Sequence, residues 1–351
     1  MTGFLTRPSL RGTVLDVLLL VVFTVAGTAL AWKGGDYLVS ASERLGGHYG
    51  LPPVVQGAVI AAVGSSFPEL SSTVIATLRY DAFEIGVGAV IGSAVYNILV
   101  IPSVSALAGE GRLASNRDLV YKEAQFYLLS LAVLLLAFTL AVLYYPVETT
   151  AESLDGRLTW FLALLPMALY GLYVFIQYHD SVDYRRTAVR KRVDVRRQWA
   201  ILAGALVAIL VGAEFLVRAA VGFGELFDTS AFLWGLTVVA AGTSIPDTFV
   251  SVAAARVGNA SVSLANVFGS NVFALLVALP AGVLVAGTVT VDLATVVPMM
   301  TFLVFASVAF FAILRTDMLL TTRESYVLLF LYLVFILWLV AESTGVTGFL
   351  P

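Results

Sequence analysis

Runs of mostly apolar residues recur ten times along the 351-residue chain. Each is long enough to cross a hydrocarbon core as a helix, which takes about 20 residues. They cover roughly 14–42, 53–78, 84–108, 119–144, 158–178, 198–222, 231–255, 261–286, 290–314 and 325–342. In lipid no water is available to the backbone, so each run must close its own hydrogen bonds as a helix. Composition agrees: 60% of residues are hydrophobic and 12% charged, against about 25% charged in soluble domains. A soluble enzyme, a nucleic-acid binder and a disordered chain are all excluded. The fold class is an all-α polytopic membrane protein. The first run is too long for a signal-peptide core and lacks a small-residue cleavage site. With no cysteine in the chain, disulfides, thiolate metal sites and cysteine nucleophiles are excluded too.

Ten crossings put both termini on one side, and basic residues indicate which. The loops after runs 1, 3, 5, 7 and 9 hold 14 Lys and Arg, seven of them between 179 and 197; the opposite face holds four, Arg7, Arg11, Arg79 and Arg157. The positive-inside rule makes segment 179–197 a cytoplasmic linker and places both termini outside, in the cell membrane. The expected organisation is a five-helix half at 1–178, the basic linker at 179–197 and a second five-helix half at 198–351.

The halves resemble each other. GAVIAAVGSSFPELSSTVIATLR begins at Gly57 and GLTVVAAGTSIPDTFVSVAAAR at Gly235; Gly64, Ser66, Pro68 and Glu69 align with Gly242, Ser244, Pro246 and Asp247 at a constant offset of 178. Asp36-Tyr37-Leu38-Val39 aligns with Glu214-Phe215-Leu216-Val217 at that same offset, and IGSAVYNILV (91–100) aligns with FGSNVFALLV (268–277) after one deletion. The repeats span about 57–108 and 235–286. Five helices per half is odd, so the second copy enters the membrane from the opposite face. This is the inverted repeat of many secondary transporters, whose site lies at the midplane where the halves meet.

Each repeat places a carboxylate, Glu69 or Asp247, within an apolar run. A charge at that depth costs at least about 2.5–3.5 kcal/mol on insertion scales. Lys33 and Arg218 are expected nearer the ends of their runs, which leaves a cation as the natural counter-charge. Pro68 and Pro246 have no N–H and free the carbonyls of Gly64 and Gly242, so helices 2 and 7 should be broken at the site. Hydroxyls cluster around them in Ser65, Ser66, Thr243 and Ser244. One helix further on, Ser93 and Asn97 share a face, as do Asn266 and Ser270. Gly92 and Gly269 allow close helix approach. Carboxylates, carbonyls, an amide and hydroxyls make an all-oxygen set suited to calcium. Soft or imidazole-binding metals are disfavoured, and His48 and His179 read as loop residues. Asp36 and Glu214, near the helix ends, read as interfacial anchors or gating groups.

These paired motifs, GSSFPE…IGSAVYN and GTSIPD…FGSNVF, resemble the two alpha repeats of the cation/calcium exchanger superfamily, in its sodium/calcium exchanger branch. The resemblance covers both repeats and the ten-helix plan. It implies two inverted five-helix halves and ion ligands at Glu69, Asp247, Asn97, Ser65, Ser66, Ser93, Thr243, Ser244 and Ser270, with backbone carbonyls near Ala62 and Ala240. One position departs: Ala274 stands where many relatives carry Asp or Asn, and Asn266 or water is the available replacement. Proton-coupled calcium exchangers usually carry glutamate in the motif that here holds Asn97 and Ala274, which favours sodium. The expectation is therefore a Na⁺/Ca²⁺ antiporter, not an enzyme. It needs no cofactor beyond its transported ions, and its partners are Ca²⁺, Na⁺ and the lipid bilayer, with no nucleic acid and no obligate protein partner. The alternative is the same fold with a different couple, H⁺/Ca²⁺ or another monovalent/divalent pair. An intramembrane aspartyl protease is disfavoured, because one of the two acids is glutamate and no GxGD stretch is present.

Overall fold

The computed structural model describes residues 10–49, 62–109, 111–147, 154–182, 193–344 and 346. Gly57, both chain termini and the middle of the basic linker lie outside the described residues. Span 1 is the helix α1 (Leu10–Tyr49). Span 2 consists of α2 (Ala62–Ser65) and α3 (Phe67–Tyr80), interrupted at Ser66. Span 3 is α4 (Phe83–Leu99) followed by α5 (Ile101–Ala108). Spans 4 and 5 are α6 (Ala124–Tyr144) and α7 (Trp160–Val182).

The second half repeats this plan. Span 6 is α8 (Val195–Phe227). Span 7 joins α9 (Ala231–Trp234), a π-helical stretch (Gly235–Val239) and α10 (Ala240–Arg256). Span 8 joins α11 (Ala260–Phe273), a second π stretch (Ala274–Ala278) and α12 (Leu279–Ala286). Spans 9 and 10 are α13 (Leu293–Arg315) and α14 (Thr322–Ser343). Within the described residues each of the ten expected runs is thus mainly helical; positions 53–61 of the second lie outside them. His48 and His179 sit in the last turns of α1 and α7 rather than in loops.

The expected break differs between the halves. Span 2 is interrupted at a turn residue, Ser66, two positions before Pro68. Span 7 keeps its helical winding through Pro246, and its irregularity is the π stretch about two turns earlier. A π turn widens the helix locally; this one ends before Ala240 and does not involve the Gly242 carbonyl, which Pro246 leaves without its helical donor.

Four short strands cap the bundle in a pattern the apolar runs do not announce. β1 (Arg112–Ala114) pairs antiparallel with β4 (Leu319–Thr321), and β2 (Asp155–Thr159) with β3 (Thr288–Asp292). β1 follows span 3 and β3 follows span 8, at equivalent places in the two halves. β2 precedes span 5 and β4 precedes span 10, again equivalently. The two ribbons are therefore related by the same inverted symmetry as the motifs, each tying one half to the other. At β4 the chain enters α14 through a reciprocal cap, in which the Thr321 side chain and the Glu324 carboxylate each bond the other's backbone N–H.

Spans 3 and 8 form the centre: 94% of the best apolar window of span 3 is buried and 83% of that of span 8, against 17% for span 1. Lipid gives helices no hydrophobic reason to associate, so close packing of small residues holds them together. A methyl group on Gly92 would run into the Leu236 carbonyl, and one on Gly88 into the Phe232 carbonyl. Helix α4 therefore lies directly on the π stretch of span 7. Outside the core, α1 and α8 cross closely at Gly27 and Gly212, where each glycine faces the other's backbone. Gly92→Val should destabilise the protein by about 1–3 kcal/mol through overpacking. Gly171→Ala, with open space around the new methyl, should not destabilise it. Thermal unfolding in detergent checks the pair; equal losses would contradict this packing.

Candidate ion-binding site

Glu69 lies in the first turn of α3 and Asp247 in the second turn of α10, and both are fully buried. They are near enough to repel one another. The local sequence at the first is Ser66-Phe67-Pro68-Glu69, with the S-x-x-E spacing of a helix-capping box. Neither side chain caps the helix. Ser66 makes no cap hydrogen bond; its hydroxyl lies 2.7 Å from that of Ser270. The Glu69 carboxylate turns inward, beside its own backbone N–H and the hydroxyls of Ser93 and Thr243. The start of a helix carries partial positive charge, which favours a carboxylate there.

The hydroxyls form two matched relays. Ser270 donates to Asp247 Oδ2 at 2.7 Å. A hydroxyl has one proton, so in the Ser66–Ser270 pair Ser66 is the donor. In the other half Ser93 donates to Glu69 Oε1 at 3.5 Å and lies 2.7 Å from Ser244, so Ser244 donates to Ser93. Each relay starts on the span that bears one carboxylate and ends on the other carboxylate. Both carboxylates are thereby held from across the symmetry axis.

Three oxygens remain over. Glu69 Oε2, Asp247 Oδ1 and Asn97 Oδ1 are buried with no hydrogen-bond partner among the described residues. Orphaned buried acceptors are costly, and more so when charged. Three of them on facing helices constitute an acceptor-only set that a cation would satisfy. The described residues hold no cluster of three or more acids and imidazoles, so the remaining donors must be neutral oxygens.

The other expected residues fall as follows. Ser65 and Asn266 stand beside Asp247, and Asn266 donates to Ser251 at 3.2 Å. Thr243 donates to the Ala240 carbonyl at 3.2 Å, which occupies one lone pair of the carbonyl implied by the resemblance. Ala62 opens α2. Sequence reasoning missed Asn271. It is fully buried and accepts a 2.9 Å hydrogen bond from Asn97 Nδ2. Its place in FGSNVF was visible, but its repeat partner is Ala94, so a search for matched polar pairs passes over it.

A cavity of about 160 Å³ reaches the site from one side, meeting Asp247, Ser65 and Asn266 from the half of α1 that carries Asp36 and Glu43. That is ample for several waters. The equivalent approach to Glu69 holds a packed apolar cluster among the described residues. Ala76, Ile85, Ala89, Leu216 and Val217 pack together there. Glu214, the repeat partner of Asp36, accepts hydrogen bonds from Tyr80 at 2.7 Å and Arg218 at 2.6 Å, and pairs with Arg79 at 3.1 Å. Among the described residues, Asp36 makes a loose, exposed contact with Lys33 at 3.9 Å.

The sodium/calcium exchanger protein family model matches residues 19–179 and 197–341. The sodium/calcium exchanger MaX1 of Methanosarcina acetivorans is 27% identical over 286 residues, covering 70% of this chain and 77% of its own. Inner membrane protein YrbG of Escherichia coli is 28% identical over 269 residues, covering 75% and 79%. Among solved structures, the sodium-calcium exchanger NCX_Mj soaked with 100 mM Na⁺ and 10 mM Sr²⁺ superposes with a TM-score of 0.61 at 26% identity, over 91% of this chain and 98% of that one.

Ser270→Ala should remove the donor to Asp247 and the acceptor for Ser66 together, lowering the stability of the cation-free protein by about 1–3 kcal/mol. Ser343→Ala, at an exposed helix end, should leave it near zero. Melting of the two variants in detergent with chelator compares them, and indistinguishable curves would count against the relay.

Proposed function

The chain belongs to the sodium/calcium exchanger protein family, and on that footing we propose that it is an antiporter exchanging Na⁺ for Ca²⁺ at a midplane site built on Glu69 and Asp247. The observation that carries this reading is the set of three buried, unpartnered oxygens on Glu69, Asp247 and Asn97. Two carboxylates supply two negative charges. One Ca²⁺ neutralises them, or Na⁺ ions replace it on the same oxygens, so the loads compete. Calcium takes 6–8 oxygens; the remainder come from Ser65, Ser66, Ser93, Thr243, Ser244, Ser270, the Ala62 and Ala240 carbonyls, Asn266 and water. The side chain of Ala274 contributes none.

Emptying the site leaves two uncompensated charges in a medium of low dielectric, which is very unfavourable. The empty site therefore resists closure, whereas either load permits it. Alternation is a shift of the crossed pair α1 and α8 against the core. A cavity beside α1 and a packed apolar cluster beside α8 support this reading. Arginine and lysine counts assign the open side, with residues 179–197, to the cytoplasm and both termini to the outside.

In proteoliposomes, an outward Na⁺ gradient should drive ⁴⁵Ca²⁺ uptake, and the double variant Glu69→Gln, Asp247→Asn should abolish it. Uptake driven by a pH gradient and indifferent to Na⁺ would replace the sodium reading with the proton-coupled one. Orientation has its own check, since the chain has no cysteine. A single Ala188→Cys should react with an impermeant maleimide in inside-out vesicles and not in intact cells.

A further inference from the structure

Asn97 is useful to a cation only one way round. Its amide oxygen attracts the ion and its NH₂ group repels it, yet the two ends have nearly the same shape. Something must choose between them. Asn97 Nδ2 donates to Asn271 Oδ1 at 2.9 Å, which leaves Asn97 Oδ1 as the unpartnered, buried acceptor. Asn271 faces the same ambiguity, and its own orientation is fixed by backbone. Its Nδ2 donates to the Ala94 carbonyl at 3.4 Å. A carbonyl can only accept, so the NH₂ end of Asn271 must face Ala94. Its oxygen then faces Asn97, which must present NH₂ in return. The Tyr127 hydroxyl, also fully buried, stands against the Asn271 side chain from α6.

We propose that Asn271 is a positioning residue that fixes the polarity of the Asn97 amide, so that its oxygen and not its nitrogen is offered to the transported cation. The proposal deepens the exchange reading above and rests on it. It also gives meaning to one place where the chain departs from its internal symmetry. Asn97 and Ala94 lie on α4, and their repeat partners are Ala274 and Asn271. The two amides therefore occupy non-equivalent positions, one turned to the site and one turned to the other amide. With Ala274 supplying no side-chain oxygen, Asn97 is the single neutral amide at this position, and its orientation is not backed up by a symmetry mate.

Calcium binding to the purified full-length protein, measured by titration calorimetry in Na⁺-free buffer, tests this. Asn271→Leu keeps the branched outline of the side chain, with added bulk, and removes both hydrogen bonds. It should weaken Ca²⁺ binding about 10–100-fold, the usual effect of losing a group that orients a ligand. Asn97→Ala should weaken it as well, and the double variant should be no weaker than Asn97→Ala alone. Full additivity in the double variant, or wild-type affinity in Asn271→Leu, would overturn the proposal, since a merely structural residue would act independently of Asn97. Asn271→Ala carries the same expectation and is read in the same cycle if the leucine variant does not fold. Wild-type protein that binds neither Ca²⁺ nor Na⁺ would overturn the exchange reading itself, an outcome distinct from an insensitive Asn271.

Discussion

Two carboxylates are buried close together in the middle of an apolar bundle, and their mutual repulsion is the constraint around which the centre of the structure is arranged. Ionised groups in low dielectric require partners. The protein supplies some of them: a helix start under Glu69, a hydroxyl on each acid, and a second hydroxyl behind each of those. It stops short of a full complement. One oxygen of each acid and one amide oxygen are left without a proton donor among the described residues. A site completed by protein donors would be stable and inert. On the proposed exchange reading, a site left short by an acceptor set is stable only when loaded, and that would tie occupancy to movement.

Symmetry explains how two acids from distant parts of the chain come to share a point. Five helices per half invert the second copy, and the axis relating the halves then passes between Glu69 and Asp247. The serine relays and the paired ribbons β1–β4 and β2–β3 obey that axis. The approaches to the site do not. Beside α1 a cavity is open to Asp36 and Glu43; beside α8 the equivalent acid, Glu214, is held by Arg79, Arg218 and Tyr80. An exchanger must break its own symmetry in each state, because a site open to both sides would leak. The asymmetry of those two helices is the form this takes.

Much of this was legible in the residues. Ten apolar runs, the offset of 178 and the pair Glu69 and Asp247 follow from bilayer thickness and from the expense of intramembrane charge, which act on sequence directly. The short ribbons were not read: Thr288–Asp292 does alternate as TVTVD, but it merges with the apolar run that follows, and strands of three to five residues are too short to stand out from such runs. Nor was the difference between the two prolines: Pro68 sits beside an interruption and Pro246 within a continuous helix, although the motifs around them align residue for residue. Asn271 escaped notice because it breaks the repeat. Its role depends on contact with Asn97, 174 positions away, and no local spacing encodes that contact.

The most direct measurement of the central claim is equilibrium ⁴⁵Ca²⁺ binding to purified wild-type protein as Na⁺ is raised. The account predicts saturable binding at one Ca²⁺ per chain, displaced competitively as Na⁺ occupies the same oxygens, with binding lost when Glu69 and Asp247 are both neutralised. Ca²⁺ binding unaffected by Na⁺, or persisting after both acids are neutralised, would contradict it.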